Sequence, residues 1–380
     1  MRHAYIVDGI RTPFGRRNGG LARVRPDDLA AAALNGLVNK TGIAPELVED
    51  IRLGCVTEVG EQGFNIGRVA PLIAGFPVEV PGVSINRMCA SSLEAVNQAA
   101  QAIRADMHDL VIAAGVESMS RVPMGSDGST FSDGLLQRFN IVPQGLSAEL
   151  VAGKWNLSRE RLDQFSLESH RRALHAQEAG YLAEEIMPVE TVDAEGAPVS
   201  VSRDEGPRAD TTLEKMGSLR PVFKTDGRVT AANSSQITDG AAALLLASED
   251  ALKTHHLTPR ARIAAMAVVG VDPVIMLTGP IPATAKVLDK AGLKFTDIDV
   301  FEVNEAFASV VLAWGEEYHP DWSRVNPNGG AIALGHPLGA SGGRLTLTAL
   351  HELERRHGRY ALIVMCIGWG MAVATIIERV

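Results

Sequence analysis

The chain of 380 residues is 46% hydrophobic and carries a formal charge of -9, which suits two or three buried cores and argues against a general nucleic-acid or anionic-membrane binder. Its three cysteines, Cys55, Cys89 and Cys366, are far apart with no C-x-x-C. That spacing excludes a disulfide framework and a zinc cage, gives no metal site, and predicts a cytoplasmic protein.

The N-terminal M-R-H-A-Y-I-V-D-G lacks the apolar core of a secretory signal and reads as a strand over residues 4–8. Asp27 to Lys40 reads as a helix closed by Gly42, and Ile51 to Val56 as a strand. A Gly-broken helical segment spans 64–74, and the β-leaning run through Val80, Val83 and Ile85 gives way at Asn86-Arg87 to a helix beginning at about Cys89. A cysteine there faces free N–H groups and the positive end of the helix dipole, so its pKa is expected to fall and its thiolate to become nucleophilic. The alternative is a small buried residue filling space between helix and sheet.

Another strand follows over Leu110 to Gly115, and alternating strands and helices make this an α/β half. From Ser118 the pattern breaks into a Gly/Ser/Asp-rich excursion. A capped helix over 158–180 then puts Phe165, Leu167, Ala173 and Leu174 on its inner face, and 181–230 reads as irregular. The domains are therefore expected to begin with 1–118, followed by an inserted loop domain over 119–228 and, after residue 256, a last unit over 257–380.

The last of these echoes the first. K-T-G-I before Asp50-Ile51 returns as K-A-G-L before Asp297-Ile298, Ile85-Asn86 as Val325-Asn326, and Leu110–Gly115 as Tyr360–Cys366. Two similar halves should pack together and share a cleft. The uncharged stretch Ala361 to Ile377, interrupted by Gly368 and Gly370, reads as a buried strand pair and not a membrane span.

Opposite Cys89, the second half offers His336 in a G-H-P turn, with Pro337 at the first position of a helix over 338–351. Its pKa near working pH suits the base a thiol nucleophile needs. Cys366, in a turn after a strand, is a second acid/base or a packed core cysteine. Gly368 and Gly370 leave backbone N–H groups open for an oxyanion. Asn304 either holds an oxygen or caps a helix before Glu305.

These blocks resemble the thiolase family. N-R-M-C-A-S-S-L-E-A-V and A-G-V-E-S-M-S are followed, in the family's order, by T-A-A-N-S-S-Q-I-T-D-G-A-A-A, N-E-A-F-A, N-G-G-A-I-A-L-G-H-P-L-G-A-S-G and C-I-G-W-G. The resemblance implies two βαβαβαββ halves in a five-layered α-β-α-β-α fold, with an inserted domain covering coenzyme A and a strand near 241–247 that returns to the first half, making that half 1–118 plus 229–256. It implies that a 3-ketoacyl-CoA is cleaved by CoA, a substrate and not a resident cofactor, through acyl-Cys89. His336 would activate Cys89, and Cys366 would move the second proton. Asn304 with His336 would form one oxyanion hole, and the N–H groups of Cys89 and Gly368 the other. Ser235 would contact the pantetheine arm and Arg208 the nucleotide end of CoA. Family habit implies a homodimer or homotetramer and allows a hydratase/dehydrogenase partner.

Trp369 and Ala372 depart from the family's glycines, and Pro143-Gln144 from the His-Met pair of short-chain biosynthetic members. The reading is thus a degradative enzyme of fatty-acid or related β-oxidation. The alternatives are a biosynthetic enzyme making acetoacetyl-CoA and a non-catalytic acyl-CoA-binding subunit. A ketosynthase and a cysteine peptidase fit less well.

Overall fold

A computed structural model describes residues 2–193 and 195–380. In the first half the strands are β1 (Tyr5–Arg11), the short β2 (Gly15–Arg16), β3 (Asp50–Gly54), β4 (Gly82–Ile85) and β5 (Leu110–Ser118). A separate hairpin of β6 (Val189–Val192) and β7 (Pro198–Val201) precedes β8 (Thr238–Ala247). The second half has β9 (Ala261–Gly270), β10 (Val300–Val303), β11 (Tyr360–Ile367) and β12 (Met371–Arg379).

The strands lie in the order β10-β11-β12-β9-β1-β8-β5-β3-β4. Among the described residues, two pairs, Tyr5 with Arg262 and Ile6 with Ala261, join β1 to β9. The sheet is thus two similar sheets meeting at an edge. In each, parallel strands run outward from an antiparallel pair: β5 with β3 and β4 in one, β11 with β10 in the other. The counterpart of β4 in the second half is reduced to a single bridge between Phe301 and Val325. Left-handed glycines close corresponding helices, Gly42 at φ +68° and Gly292 at φ +66°.

The apolar runs explain the layering. Every residue of β5, L-V-I-A-A-G-V-E-S, is buried, as expected for a strand covered on both faces. One core joins Leu93, Val96 and Ile103 of the helix Ser91–Arg104 to Leu345, Leu350 and Leu353 of the helix Ser341–Arg356, between the inner faces of both sheets. Each such large side chain contributes about 1.5–3 kcal/mol through burial. A second core lies under Pro26–Thr41, and a third under Pro280–Ala291 and Ala308–Tyr318. The layers are therefore helix, sheet, helix, sheet, helix.

Between β5 and β8 the chain leaves the sheet. Arg159–Glu178 buries Leu162, Ser166, Ser169, Ala173 and Ala176, while Leu167 and Leu174 are only half-buried. The expected Leu-rich face gives way to a small-residue face because Gly329 packs directly on Ser169 O and Ala173. The span expected to be irregular holds the β6–β7 hairpin and a short helix, Leu213–Gly217. A wholly buried Arg11 ties this excursion to β1, with Nε 2.7 Å from Glu185 and Nη1 2.6 Å from Asp204.

Two further boundaries differ. The helix after G-H-P begins at Ser341, because Pro337 O accepts the N–H groups of Ala340 and Ser341 in a preceding turn. Cys366 lies within β11, opposite Ala372, and not in the turn beyond it.

Candidate active site

Cys89 is delivered by a tight turn between β4 and the helix Ser91–Arg104. Asn86 braces the turn, donating to Val56 O at 2.9 Å and accepting from Met88 N at 2.9 Å. Ser91 Oγ donates to Met88 O at 2.6 Å and accepts from Arg87 N at 2.9 Å. Met88 is held at φ +46°, a left-handed conformation that costs a non-glycine residue roughly 1–3 kcal/mol. The strained turn points Cys89 into the cleft. Gly368 and Gln144 stand with Cys89 around one cavity, and polar groups of Gly368, Gln144 and its own backbone favour its charged form.

Burial nevertheless pushes the Cys89 pKa above the ordinary cysteine value, and these polar groups only partly oppose it. This corrects the expectation of a depressed pKa. Cys89 is 5% exposed and the helix starts two residues later, so desolvation of the charged form outweighs the dipole. Cys366 is pushed up further, by burial first and by the neighbouring Cys89 second. Both groups are thiols at neutral pH.

The loop between β10 and Ala308–Tyr318 carries Asn304, whose N–H donates to Val364 O at 3.0 Å. The helix starts four residues later, so Asn304 is not its cap. Asn304 Nδ2 lies 3.2 Å from His336 Nε2, while its Oδ1 is buried without a partner. His336 Nδ1 is 2.5 Å from Ser341 Oγ, and that hydroxyl donates to Pro337 O at 2.8 Å. The Ser341 proton is thus committed, so Nδ1–H is the donor to Oγ and Nε2 keeps its lone pair toward Asn304. Burial, then the charge of Arg344, lowers the His336 pKa to about 3. His336 is a neutral acceptor here, not a group titrating near working pH.

Gly335 precedes it at φ +104°, and a Cβ there would stand 2.3 Å from Thr238 Cγ2, so only glycine fits. The loop then meets the first half backbone to backbone. A Cβ on Gly339 would lie 2.1 Å from Val116 O, and Gly339 N donates to Glu117 at 2.9 Å. Buried Glu117 also accepts from Val56 N, Thr57 N and Gln62 Nε2 at 2.7–3.1 Å. Glu305 plays the equivalent part on the far side, accepting from Ser169, Asn326 and Ile332 N. Burial raises both carboxyl pKa values. Sequence reasoning missed these clamps, although a carboxylate ending the apolar run of β5 was a visible signal.

Cys89 and Gly368 border a cavity of about 360 Å³ closed by Met124, Phe131, Met276 and Trp369. Trp369 stands in the turn between β11 and β12 at φ +67°, the left-handed region that favours glycine, and packs edge-on against Phe131 at 5.1 Å. Ser235 and Arg208 do not line this cavity. Ser235 is half-buried, with its N–H donating to Ala306 O at 2.9 Å; Arg208 is exposed, its N–H donating to His170 Nδ1 at 3.2 Å. The structure thus gathers Cys89, Gly368 and Cys366 as one group and Asn304 and His336 as another, with Ser235 beside the Asn304 loop and Arg208 apart.

Residues 4–250 match the family model of the thiolase N-terminal domain, and residues 257–379 that of the thiolase C-terminal domain. The chain is 50% identical to a steroid 3-ketoacyl-CoA thiolase, FadA6, of Mycobacterium tuberculosis, over 100% of this chain and 95% of the relative. It is 48% identical to a 3-oxoadipyl-CoA/3-oxo-5,6-dehydrosuberyl-CoA thiolase of Escherichia coli, over 100% of both. Human mitochondrial 3-ketoacyl-CoA thiolase superposes with a TM-score of 0.92 at 40% identity, over 100% of this chain and 99% of that one. Full-length matches to both domain models and to these relatives agree with the duplicated fold, and the chain belongs to the thiolase family.

Proposed function

We propose that this protein is an acetyl-CoA C-acyltransferase that cleaves 3-ketoacyl-CoA with CoA, giving acetyl-CoA and a shortened acyl-CoA in a degradative pathway. The observation that carries the reading is the pair of buried cysteines, one from each half: Cys89 borders the cavity beside Gly368, and Cys366 packs with Met276 of the same cavity wall.

With Cys89 protonated, attack needs a base, and neutral His336 offers the Nε2 lone pair. Leu338, two residues beyond it, packs on Cys89. Cys89 Sγ bonds to the 3-keto carbon as His336 takes the thiol proton, and the oxyanion is held by the N–H groups of Cys89 and Gly368. Collapse breaks the bond between the 2- and 3-carbons, leaving the acyl group on Cys89. The carbanion of the departing acetyl-CoA takes the proton of Cys366, while Nε2–H of His336 and Asn304 steady the thioester oxygen. The Cys366 thiolate then takes the proton of incoming CoA, whose sulfur attacks acyl-Cys89. The proton on His336 returns to Cys89.

In this reading residues 1–118 with 229–256 and residues 257–380 form the two catalytic halves, and 119–228 covers CoA, with Ser235 on the pantetheine arm and Arg208 at the nucleotide end. The enzyme acts in the cytoplasm as a homodimer or homotetramer, and a hydratase/dehydrogenase partner supplies its substrate. The test is thiolysis of acetoacetyl-CoA and a longer 3-ketoacyl-CoA across several CoA concentrations. Ping-pong kinetics are expected, and absence of cleavage with either substrate would refute the reading.

A further inference from the structure

We propose, building on the thiolase reading, that the cavity beside Cys89 takes an uncharged, apolar acyl group and rejects 3-ketoacyl groups ending in a carboxylate. Met88, Met124, Phe131, Met276 and Trp369 supply hydrocarbon, sulfur and aromatic surface around the space beyond the nucleophile. Among its described lining residues there is no lysine, arginine or histidine, and the charged one is Asp127. An ω-carboxylate there would lose water without gaining a cation.

The surrounding charge opposes it further. Asp127 acts on Glu58, whose carboxyl is raised by burial first and by that neighbouring charge second. Glu117 lies behind, held by Val56 N and Thr57 N, both from residues that line the cavity. An incoming carboxylate thus meets Asp127 at the exposed edge of the lining and gains no cation, with Glu117 buried behind the wall, and bringing like charges together is disfavoured. A methyl-ended chain meets mainly apolar surface, and the edge-on pair of Phe131 and Trp369 offers a flat aromatic wall. Holding Trp369 in a left-handed turn conformation, where glycine is the unstrained choice, is what puts that wall in place.

The test compares kcat/KM for thiolysis of 3-ketohexanoyl-CoA and 3-ketoadipyl-CoA, of equal carbon number, with acetoacetyl-CoA as reference. Preference for the methyl-ended substrate by about 100-fold or more is expected. Asp127→Asn should narrow the ratio and Asp127→Lys narrow it by about 10-fold or more, since lysine brings a cation to the mouth. Equal or faster cleavage of 3-ketoadipyl-CoA, with acetoacetyl-CoA also cleaved, would overturn this inference and leave the thiolase reading intact. A ratio unmoved by Asp127→Lys would overturn the part assigned to charge. Failure to cleave all three substrates would overturn the thiolase reading and this inference with it.

Discussion

The connection from β4, or from its remnant at Val325, into the buried helix is built differently in the two halves. In the first it is the tight turn 86–90, which follows a formed strand, β4, and forces Met88 into a left-handed conformation to present Cys89. In the second the strand has shrunk to the bridge at Val325, and the released chain, 326–340, wanders through Gly-rich backbone before presenting His336. The first loop is short and holds Cys89 next to left-handed Met88 with the bonds of Asn86 and Ser91; the second is long, begins at left-handed Asn326, and holds His336 between Asn304 and Ser341. Duplication supplied the frame, and divergence at one loop supplied the chemistry.

Breaking the first loop should have the largest effect. Cys89→Ala is expected to lower thiolysis by about 10⁴-fold or more with the fold retained, checked by steady-state rates and circular dichroism. Retained activity would move the nucleophile elsewhere. In the second loop, His336→Ala should cost roughly 10²–10⁴-fold in kcat. A loss under tenfold would mean that another group takes the Cys89 proton.

The clamp between the loops should register as stability. Glu117→Ala orphans the N–H groups of Val56, Thr57 and Gly339 and removes one of the Gln62 amide's bonds. A loss of about 3 kcal/mol or more is expected in denaturant unfolding. An unchanged midpoint would show that the halves hold their loops without it.

Acid should separate the loops. Folded His336 has a pKa lowered to about 3 from the ordinary 6.5, so the unfolded chain takes up its proton first. Its contribution is fully present above about pH 6.5 and is lost as pH falls through that window. Comparing wild type with His336→Asn between about pH 7.5 and about pH 5, the wild type should lose roughly 2 kcal/mol more. Equal losses would place the imidazole in water.

The smallest effect is expected at Trp369→Gly. Relief of the left-handed backbone, about 1–2 kcal/mol, offsets much of the lost Phe131 contact, about 0.5–1.5 kcal/mol, and of the partly covered indole surface, about 1–2 kcal/mol. The unfolding midpoint should move little, and a shift of several kcal/mol would make Trp369 a structural residue.

Much of the frame was legible in the sequence because it rests on local signals. Apolar runs gave the strands, Gly42 and Gly292 gave matching helix ends, and the echoed segments gave the duplicated architecture. Cys89, His336, Asn304 and Cys366 stood out because reactive residue types sat beside turns. What did not show was long-range. The pKa of Cys89 went up and that of His336 far down because burial, invisible in a linear pattern, outweighs a dipole end. Glu117 and Glu305 bind N–H groups from segments distant in the chain. Nor does spacing reveal that Ser341 fixes the His336 tautomer or that Phe131 reaches Trp369.

The central claim, acyl transfer through Cys89, is tested most directly by mixing the enzyme with 3-ketohexanoyl-CoA without free CoA, quenching in acid and mapping the peptides by mass. The account predicts a butyryl group on the peptide carrying Cys89, discharged when CoA is added before the quench. An unmodified Cys89 peptide, or an acyl group on Cys366 instead, would contradict it.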